Sequence, residues 1–493
     1  MRRAHRLSMR FDLSNCPHDR SLKLVFESAL SMEITLAVGL IVLLVLLLAT
    51  GFWIGFSLLA MGLITMIFVS PRPVGDSMVL TIWGSTSSWT LTALPLFLWM
   101  GEILFRTRLA ENMFAGLSPW FNRLPGRLLH VNVLGSAIFA AVSGSSAATC
   151  STIGKISLPE LSRRGYPDRM AIGTLAGAAT LGLLIPPSII MIVYGVAADV
   201  SIARLFVAGA VPGLMLAGLF MGYVAIWALF NPTKIPSGDT EIGFLQKIYA
   251  SRKLIPVFAL ILIVLGSIYT GIATATEAAA IGVLGSLALS VLEGSMTKKT
   301  FTEGLSAACR LYCMIGLILA GAAFLTLAMG FIGLPRHLAE FIGSLGLTPF
   351  MLVIALTLFF LVLGCFLDGI SMVVLTISVL LPTIQAAGLD LIWFGVFIVL
   401  VVEVAQITPS VGLNLFVLQG LTKRDIGYIA GTVLPMLAFG FSLAGGNSGL
   451  LRAQAVGNGR CRLDGRIGAR YRYRRQRALH GLGGIDCRRG CFG

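Results

Sequence analysis

Between positions 34 and 69 the chain reads ITLAVGLIVLLVLLLATGFWIGFSLLAMGLITMIFV, 36 residues without an Asp, Glu, Lys, Arg or His. A second run at 350–367, FMLVIALTLFFLVLGCFL, holds 18 uncharged residues. A helix needs about 20 predominantly apolar residues to cross the hydrocarbon core of a bilayer. Only helices and closed barrels satisfy every backbone group in lipid, and a barrel would show short alternating segments instead. The chain is therefore read as an all-α polytopic membrane protein. Composition agrees, with 56% of the 493 residues hydrophobic and 12% charged, against about 45–50% and about 25% in soluble domains.

The net charge of +15 is carried mostly by the two ends. Residues 451–493 hold 11 Arg against 2 Asp, residues 1–31 hold 6 basic and 3 acidic side chains, and residues 32–450 hold 20 and 17. An Arg-rich tail can meet nucleic acid or anionic lipid. Here it is read as a solvated or non-native tail, and no nucleic-acid partner is expected. The eight cysteines have no metal-ligand spacing and the five histidines form no cluster, so neither a zinc site nor a disulfide framework is indicated. Residues 1–31 read as a polar, non-membrane extension. Met32, in MEITLAVGL, opens directly into a span and is the expected start.

About ten crossing segments are expected, near 33–50, 51–70, 79–104, 169–195, 202–230, 254–272, 277–292, 306–333, 391–419 and 426–447. Two stretches, 128–162 and 349–385, have an apolar arm, a small or polar break, and a second arm ending near a proline. That pattern predicts re-entrant hairpins, whose non-helical turns are tolerated only inside protein or beside a wet cavity. Pro159 and Pro382, Pro186 and Pro409, and Pro212 and Pro435 are each 223 positions apart. Three coincident offsets predict an internal duplication. The first repeat is 32–230, the linker is 231–253, and the second repeat is 254–447.

Loop charges set the orientation, because Lys and Arg stay in the cytoplasm. Arg106, Arg108, Arg123 and Arg127 precede the first hairpin, and Arg163, Arg164 and Arg169 follow it. With Lys234, Lys247, Arg252, Lys253, Lys298, Lys299, Lys423 and Arg424, they are all expected inside. The loop after the second hairpin, QAAGLDLIW, has no Lys or Arg and is expected outside. Counting spans from these anchors makes the two repeats inverted relative to each other.

Inverted repeats with broken helices at mid-membrane are the layout of secondary transporters. The first hairpin tip, VSGSSA, offers Ser143, Gly144, Ser145 and Ser146. The second, CFLDGIS, offers Asp368 and Gly369, and the 223 offset lays Ser145 on Asp368. The next helix of each repeat is broken too. One break, GLLIPPSIIM, has Pro186, Pro187 and Ser188; the other, AQITPSVGLNL, has Thr408, Pro409, Ser410, Gly412 and Asn414. A proline frees the carbonyl one turn earlier. Freed carbonyls, hydroxyls and one carboxylate are hard oxygen ligands that suit sodium, with Ser143, Ser145, Asp368 and Thr408 as first candidates. Helix N-termini at the tips favour an anionic substrate.

A Ser/Gly/Ala run by itself is more often a surface for close helix packing. The matched second hairpin and the two broken helices favour a site. Asp368 is the only acid in its apolar segment, and intramembrane carboxylates are functional by default. Glu277 and Glu403 also stand within or at spans, and a structural role fits each equally well.

AAVSGSSAATCSTIGKISLPELSRRGYPDRMAIGTLAGAATLGLLIPPSIIMIVYGVAADVSIARLFVAGAVPGLM resembles the large permease subunit of TRAP transporters, the DctM subunit family. So do GIATATEAAAIGVL, LGCFLDGISMVVLTISVLLP and TPSVGLNLFV, and the resemblance covers about 32–440. It implies a bacterial inner-membrane permease that works with a small membrane subunit and a periplasmic solute-binding protein. It implies sodium-driven import of organic carboxylates, such as four-carbon dicarboxylates, through an elevator-type movement. No cofactor other than sodium as coupling ion is implied. Carried over, the sodium sites involve Ser143–Ser146, Pro186–Ser188, Asp368–Gly369 and Thr408–Gly412. Two departures stand out. Ser410 replaces a second proline common in the family, and the abrupt Arg/Gly composition of 448–493 looks like translation in a shifted frame.

Two other functions compete. One is a stand-alone sodium/carboxylate symporter of similar architecture. The other is a membrane-embedded hydrolase, which needs a His/Asp/Glu constellation at depth; SGSS lacks the flanking pattern of a nucleophile elbow. An enzyme is not expected.

Overall fold

Buried backbone donors and acceptors must find partners, and in a chain this apolar the helix supplies them locally. The computed structural model describes residue 39 and residues 42–44, 46–48, 50–69, 73–236, 243–346, 348–364, 367–407 and 413–446. All regular structure among these residues is helical. Residues Met1–Leu437 form one unit, and of the second, Ala438–Gly493, the described part 438–446 is helical. The expected extension 1–31 and tail 448–493 lie outside the described residues.

The helices are α1 (Ile54–Val69), α2 (Val74–Thr86), α3 (Ala93–Phe105), α4 (Leu109–Phe121), α5 (Leu128–Ser143), α6 (Ser146–Arg163) and α7 (Asp168–Ala179). They continue as α8 (Leu181–Leu184), α9 (Ile189–Ala197), α10 (Ile202–Phe230), α11 (Phe244–Ser251), α12 (Ile255–Tyr269), α13 (Ala275–Leu292) and α14 (Lys298–Ile332). The last are α15 (Leu334–Ser344), α16 (Pro349–Leu363), α17 (Gly369–Ala386), α18 (Leu391–Ala405), α19 (Leu413–Thr422) and α20 (Ile426–Gly446).

The described residues do not confirm the expected count of about ten spans. Five helical stretches are long and apolar enough to cross a membrane, Asp168–Ala197, Ile202–Phe230, Phe244–Tyr269, Ala275–Leu292 and Lys298–Ile332, and two bent pairs raise the number to seven. The expected span 79–104 is one of those pairs, with a bend of 56° between α2 and the stretch Trp89–Phe105. The other differences have two causes. The expected spans 33–50 and 391–419 run through residues outside the described set. The remaining apolar helices, such as Ile54–Val69 and Leu391–Ala405, are shorter than 18 residues.

The longest helix, α14, has 35 residues, about 52 Å at the rise of an α-helix. It lies along α1, α2 and α3, and α13 packs on α3. Glycines permit the α1–α14 approach. A Cβ on Gly321 would stand 2.6 Å from the carbonyl oxygen of Gly55, and one on Gly62 would stand 2.7 Å from the Phe324 ring. Phe68, Leu214, Leu262 and Leu284 are mostly exposed, which gives α1, α10, α12 and α13 apolar outer faces suited to lipid. Within the stretch Asp168–Ala197, residues 170–195 are instead all buried. The stretch is packed by α5, α6, α10, α17, α18 and α19.

Segments expected on the same side of the membrane touch one another. Arg106 pairs with Glu303 at 3.2 Å, and Arg424 with Asp168 at 2.7 Å. Asn112 donates to Glu293 at 3.3 Å and Trp120 to Ser251 at 2.7 Å. At the other end, the Tyr194 hydroxyl donates to the carbonyl of Leu391 at 2.6 Å.

Gly321→Val places a branched side chain against the Gly55 carbonyl. Overpacking of this kind costs about 1–3 kcal/mol. The variant is expected to melt several degrees below wild type in detergent, whereas Gly316→Val on the same helix, where a Cβ meets nothing within 4 Å, is expected to melt with wild type. Thermal unfolding followed by size-exclusion chromatography reads both.

Candidate functional site

Helix α5 ends because Gly144 takes a left-handed conformation, φ 62° and ψ 14°, and its N–H returns to the carbonyl of Ala140. Two requirements converge on glycine here. The backbone conformation disfavours side chains, and a Cβ would sit 2.5 Å from the carbonyl oxygen of Pro187. Ser145 then extends and caps α6, its Oγ accepting from the Ala148 N–H at 3.4 Å. Ser143 Oγ lies 3.0 Å from Thr149 Oγ1, which donates to the Ser145 carbonyl at 2.8 Å. The turn thus binds its own polar groups. Ser143 and Ser146 are buried and Ser145 is half-buried.

The first break follows α7. One short turn, α8, gives way to extended chain at Ile185, with a cis peptide between Pro186 and Pro187. Ser188 caps α9 by accepting from the Met191 N–H at 3.3 Å. The break is stitched to the first tip, since the Ile189 N–H donates to the Gly144 carbonyl at 3.3 Å. Gly182 lets α8 close on the tip, where a Cβ would meet the Ser146 Cα at 2.6 Å.

In the second half, Asp368 caps α17. Its carboxylate accepts from the N–H groups of Ile370 at 3.1 Å and Ser371 at 3.3 Å, and from the Ser371 hydroxyl. Positions 145 and 368, matched by the 223 offset, therefore both open the second arm as capping residues. A Cβ on Gly369 would lie 2.3 Å from Gln406 Nε2 and 3.1 Å from Ile190 Cδ1, while one on Gly144 would lie 3.6 Å from Ile189 Cγ1. The two tips thus meet successive residues of the first turn of α9.

The arms of the two expected hairpins pack differently. Helices α5 and α6 lie against each other, whereas α16 leans on α18, and α17 packs on α9, α14, α15 and α18. Gly364, at the end of α16, is set against Ala405, where a Cβ would be 2.4 Å from the Ala405 Cβ. That contact ties the first arm to α18.

Of the second break, Thr408, Pro409, Ser410 and Gly412 lie outside the described residues. Asn414 follows on α19, which packs on α6 and α7. Its side chain is fully buried, and neither amide atom has a partner among the described residues.

Two residues matter more than their sequence suggests. Glu403 is 2% exposed, and its Oε1 accepts from the Leu183 N–H at 3.1 Å. Gln406 accepts from the Ser146 hydroxyl at 3.4 Å. Gln406 has no hydropathy signature. The available signal was the offset itself, which lays Glu403 on Thr180 and Gln406 on Leu183, where α7 gives way to α8. The assembled neighbourhood brings together three capped helix N-termini, those of α6, α9 and α17, with one half-buried carboxylate. N-terminal ends carry partial positive charge, and the serine and carboxylate oxygens retain lone pairs beyond those used in capping. Such a site can hold an anion and a hard cation together.

Comparison with known proteins identifies the architecture. The family profile described as the DctM component of the tripartite ATP-independent periplasmic transporter matches residues 41–444. The C4-dicarboxylate TRAP transporter large permease protein DctM of Pseudomonas aeruginosa is 32% identical over 378 residues, 76% of this chain and 87% of that protein. The sialic acid TRAP transporter large permease protein SiaM of Vibrio cholerae is 29% identical, covering 79% of this chain and 90% of its own. The solved structure of the YdaH transporter of Alcanivorax borkumensis matches with a TM-score of 0.52 at 14% identity, over 75% of this chain and 86% of that one; this is a likeness of fold. A profile match over most of the length and a relative above 30% identity agree with a core built on broken helices. The chain belongs to the DctM component family, the large permease subunits of tripartite ATP-independent periplasmic secondary transporters.

Proposed function

We propose that this permease imports organic carboxylates, four-carbon dicarboxylates first, across the bacterial inner membrane, driven by a sodium gradient. It takes its substrate from a periplasmic binding protein and works beside a small membrane subunit. The observation that carries the reading is the convergence of the capped tips, opened by Ser145 and Asp368, on the first turn of α9. Sodium suits oxygen donors that are hydroxyl, carbonyl and carboxylate, and Ser143, Ser145, Asp368 and Thr408 are the proposed ligands. The helix N-termini face the substrate carboxylate, as they do for other bound anions. The relatives named for C4-dicarboxylate and for sialic acid are both named for carboxylates.

Uptake of radiolabelled succinate into vesicles tests the reading directly. The permease is reconstituted with its small subunit, with and without the binding protein, under an inward sodium gradient. Transport is expected only with both sodium and binding protein. Uptake without the binding protein favours the stand-alone symporter, and uptake that ignores sodium removes the coupling.

The role of Asp368 separates from helix capping by one pair of variants. Asn caps about as well as Asp but lacks the charge. Asp368→Asn is expected to stay folded while losing about tenfold or more in sodium-driven uptake, the scale of a hydrogen bond or contact to a charged group. Wild-type uptake by Asp368→Asn would leave the residue as a cap alone.

Gly144→Ala is the corresponding test of the first tip. The left-handed backbone and the Pro187 carbonyl 2.5 Å from a Cβ act in the same direction. Succinate uptake is expected to fall to the background of empty vesicles, with the protein still present in the membrane fraction. Uptake equal to wild type would remove the tip from the transport route.

A further inference from the structure

The ion and substrate reading gives Glu403 no task, yet it is among the most completely buried charged residues of the described chain. It stands on the last turn of α18, and its Oε1 takes the Leu183 N–H at 3.1 Å from the other half of the sequence. That N–H lies where the α-helical ladder gives way, around Thr180, to longer bonds between residues three apart. The Thr180 N–H goes to the Gly177 carbonyl at 3.3 Å, and the Thr180 carbonyl is 3.5 Å from Leu183 N, at the limit of a hydrogen bond. Glu403 is the nearer acceptor. Three residues beyond Leu183 the Pro186–Pro187 break begins, and beyond that Ile189 binds the first tip. The other carboxyl oxygen, Oε2, is buried without a partner among the described residues.

The geometry points to Glu403 as a positioning residue that holds the first break in place from the second repeat. It acts by accepting the Leu183 N–H, so that the oxygens of Pro186–Ser188 keep a fixed relation to the tip at Gly144. Gln406, one turn further on, does the same for the tip itself by accepting from Ser146 at 3.4 Å. The last turn of α18 and its C-cap thereby reach both the break and the tip of the first repeat. Glu403 touches neither ion nor substrate in this assignment. Its function is that of an acceptor, which the amide oxygen of glutamine can replace and an apolar side chain cannot.

The test uses the purified permease and three variants. Glu403→Gln keeps the acceptor, Glu403→Met keeps the length without it, and Glu403→Ser is too short to reach Leu183 should the Met variant fail to accumulate. Hydrogen–deuterium exchange of peptides covering 181–187 reads the positioning without any ligand. Exchange there is expected to rise about tenfold in Glu403→Met or Glu403→Ser and to stay within about twofold of wild type in Glu403→Gln, the scale of one lost buried hydrogen bond. A second readout rests on the sodium coupling proposed above: protection against thermal unfolding by sodium chloride, with choline chloride as control. Half-protection is expected at about tenfold higher sodium in Glu403→Met and at the wild-type concentration in Glu403→Gln. Unchanged exchange at 181–187 in Glu403→Met overturns the assignment, and so does Glu403→Gln behaving like Glu403→Met. A wild-type protein that gains nothing from sodium overturns the sodium coupling alone, because the exchange experiment does not depend on it.

Discussion

Breaking a helix inside an apolar protein strands backbone groups that water cannot reach, and the architecture depends on how those groups are satisfied. An unpaired buried peptide group costs about 1–3 kcal/mol, and several are freed at each break. Local side chains answer first. Ser145, Ser188 and Asp368 each cap the helix that follows them, taking N–H groups two or three residues on. Neighbouring breaks answer next, as when the Ile189 N–H reaches the Gly144 carbonyl. The polar residues that make a transport site attractive are thus the residues that make its backbone tolerable. Function and stability draw on the same atoms.

The second consequence is that neither half completes itself. The Leu183 N–H is met by Glu403, and Ser146 donates to Gln406. Gly369 is fitted under Gln406, Val402 and Ile190, and Gly364 against Ala405. Helix α18 therefore reaches the first tip, the first break and the glycines bordering the second tip. Each hydrogen bond is worth about 1 kcal/mol net, but the glycine contacts leave no room for the parts to slide past one another. Both tips and the first break are thereby held in one packed body. The glycines at α1–α14 serve a different purpose. They fix the short helix α1 to the long helix α14.

Much of this was legible in the residues. The arms 128–162 and 349–385 correspond to α5–α6 and α16–α17 within two residues at their ends. The turn at Gly144 was readable because glycine between hydroxyl residues is the usual way to reverse a chain inside protein. Hydropathy failed where it had to. Helices α4, α11 and α15 were not anticipated, because each is short and mixes apolar with polar residues, as in FLQKIYAS and LPRHLAEFIGS. A window tuned to 20 apolar residues passes over them. The bend within the expected span 79–104 has a related reason. A break such as Ser87–Ser88 leaves the average hydropathy of 79–104 intact while bending the chain by 56°. Averages record composition, whereas bends depend on single residues.

The partners of the breaks were the least legible part, and the reason is physical. A capping residue is local: its side chain reaches an N–H two or three positions away, so Ser145, Ser188 and Asp368 announce themselves beside the break they serve. Glu403 lies 220 positions from Leu183, and nothing near it marks which N–H it takes. What could have revealed it is the 223 offset. The offset that pairs Ser145 with Asp368 also pairs Gln406 with Leu183, so Glu403 stands where the first half has Thr180, and meets the counterpart of its own neighbour. By the 223 offset, Glu403 contacts a residue three positions from its own counterpart, Thr180. A buried acid at such a position, facing a break in the other copy, is best sought by folding the sequence onto itself before searching it for motifs.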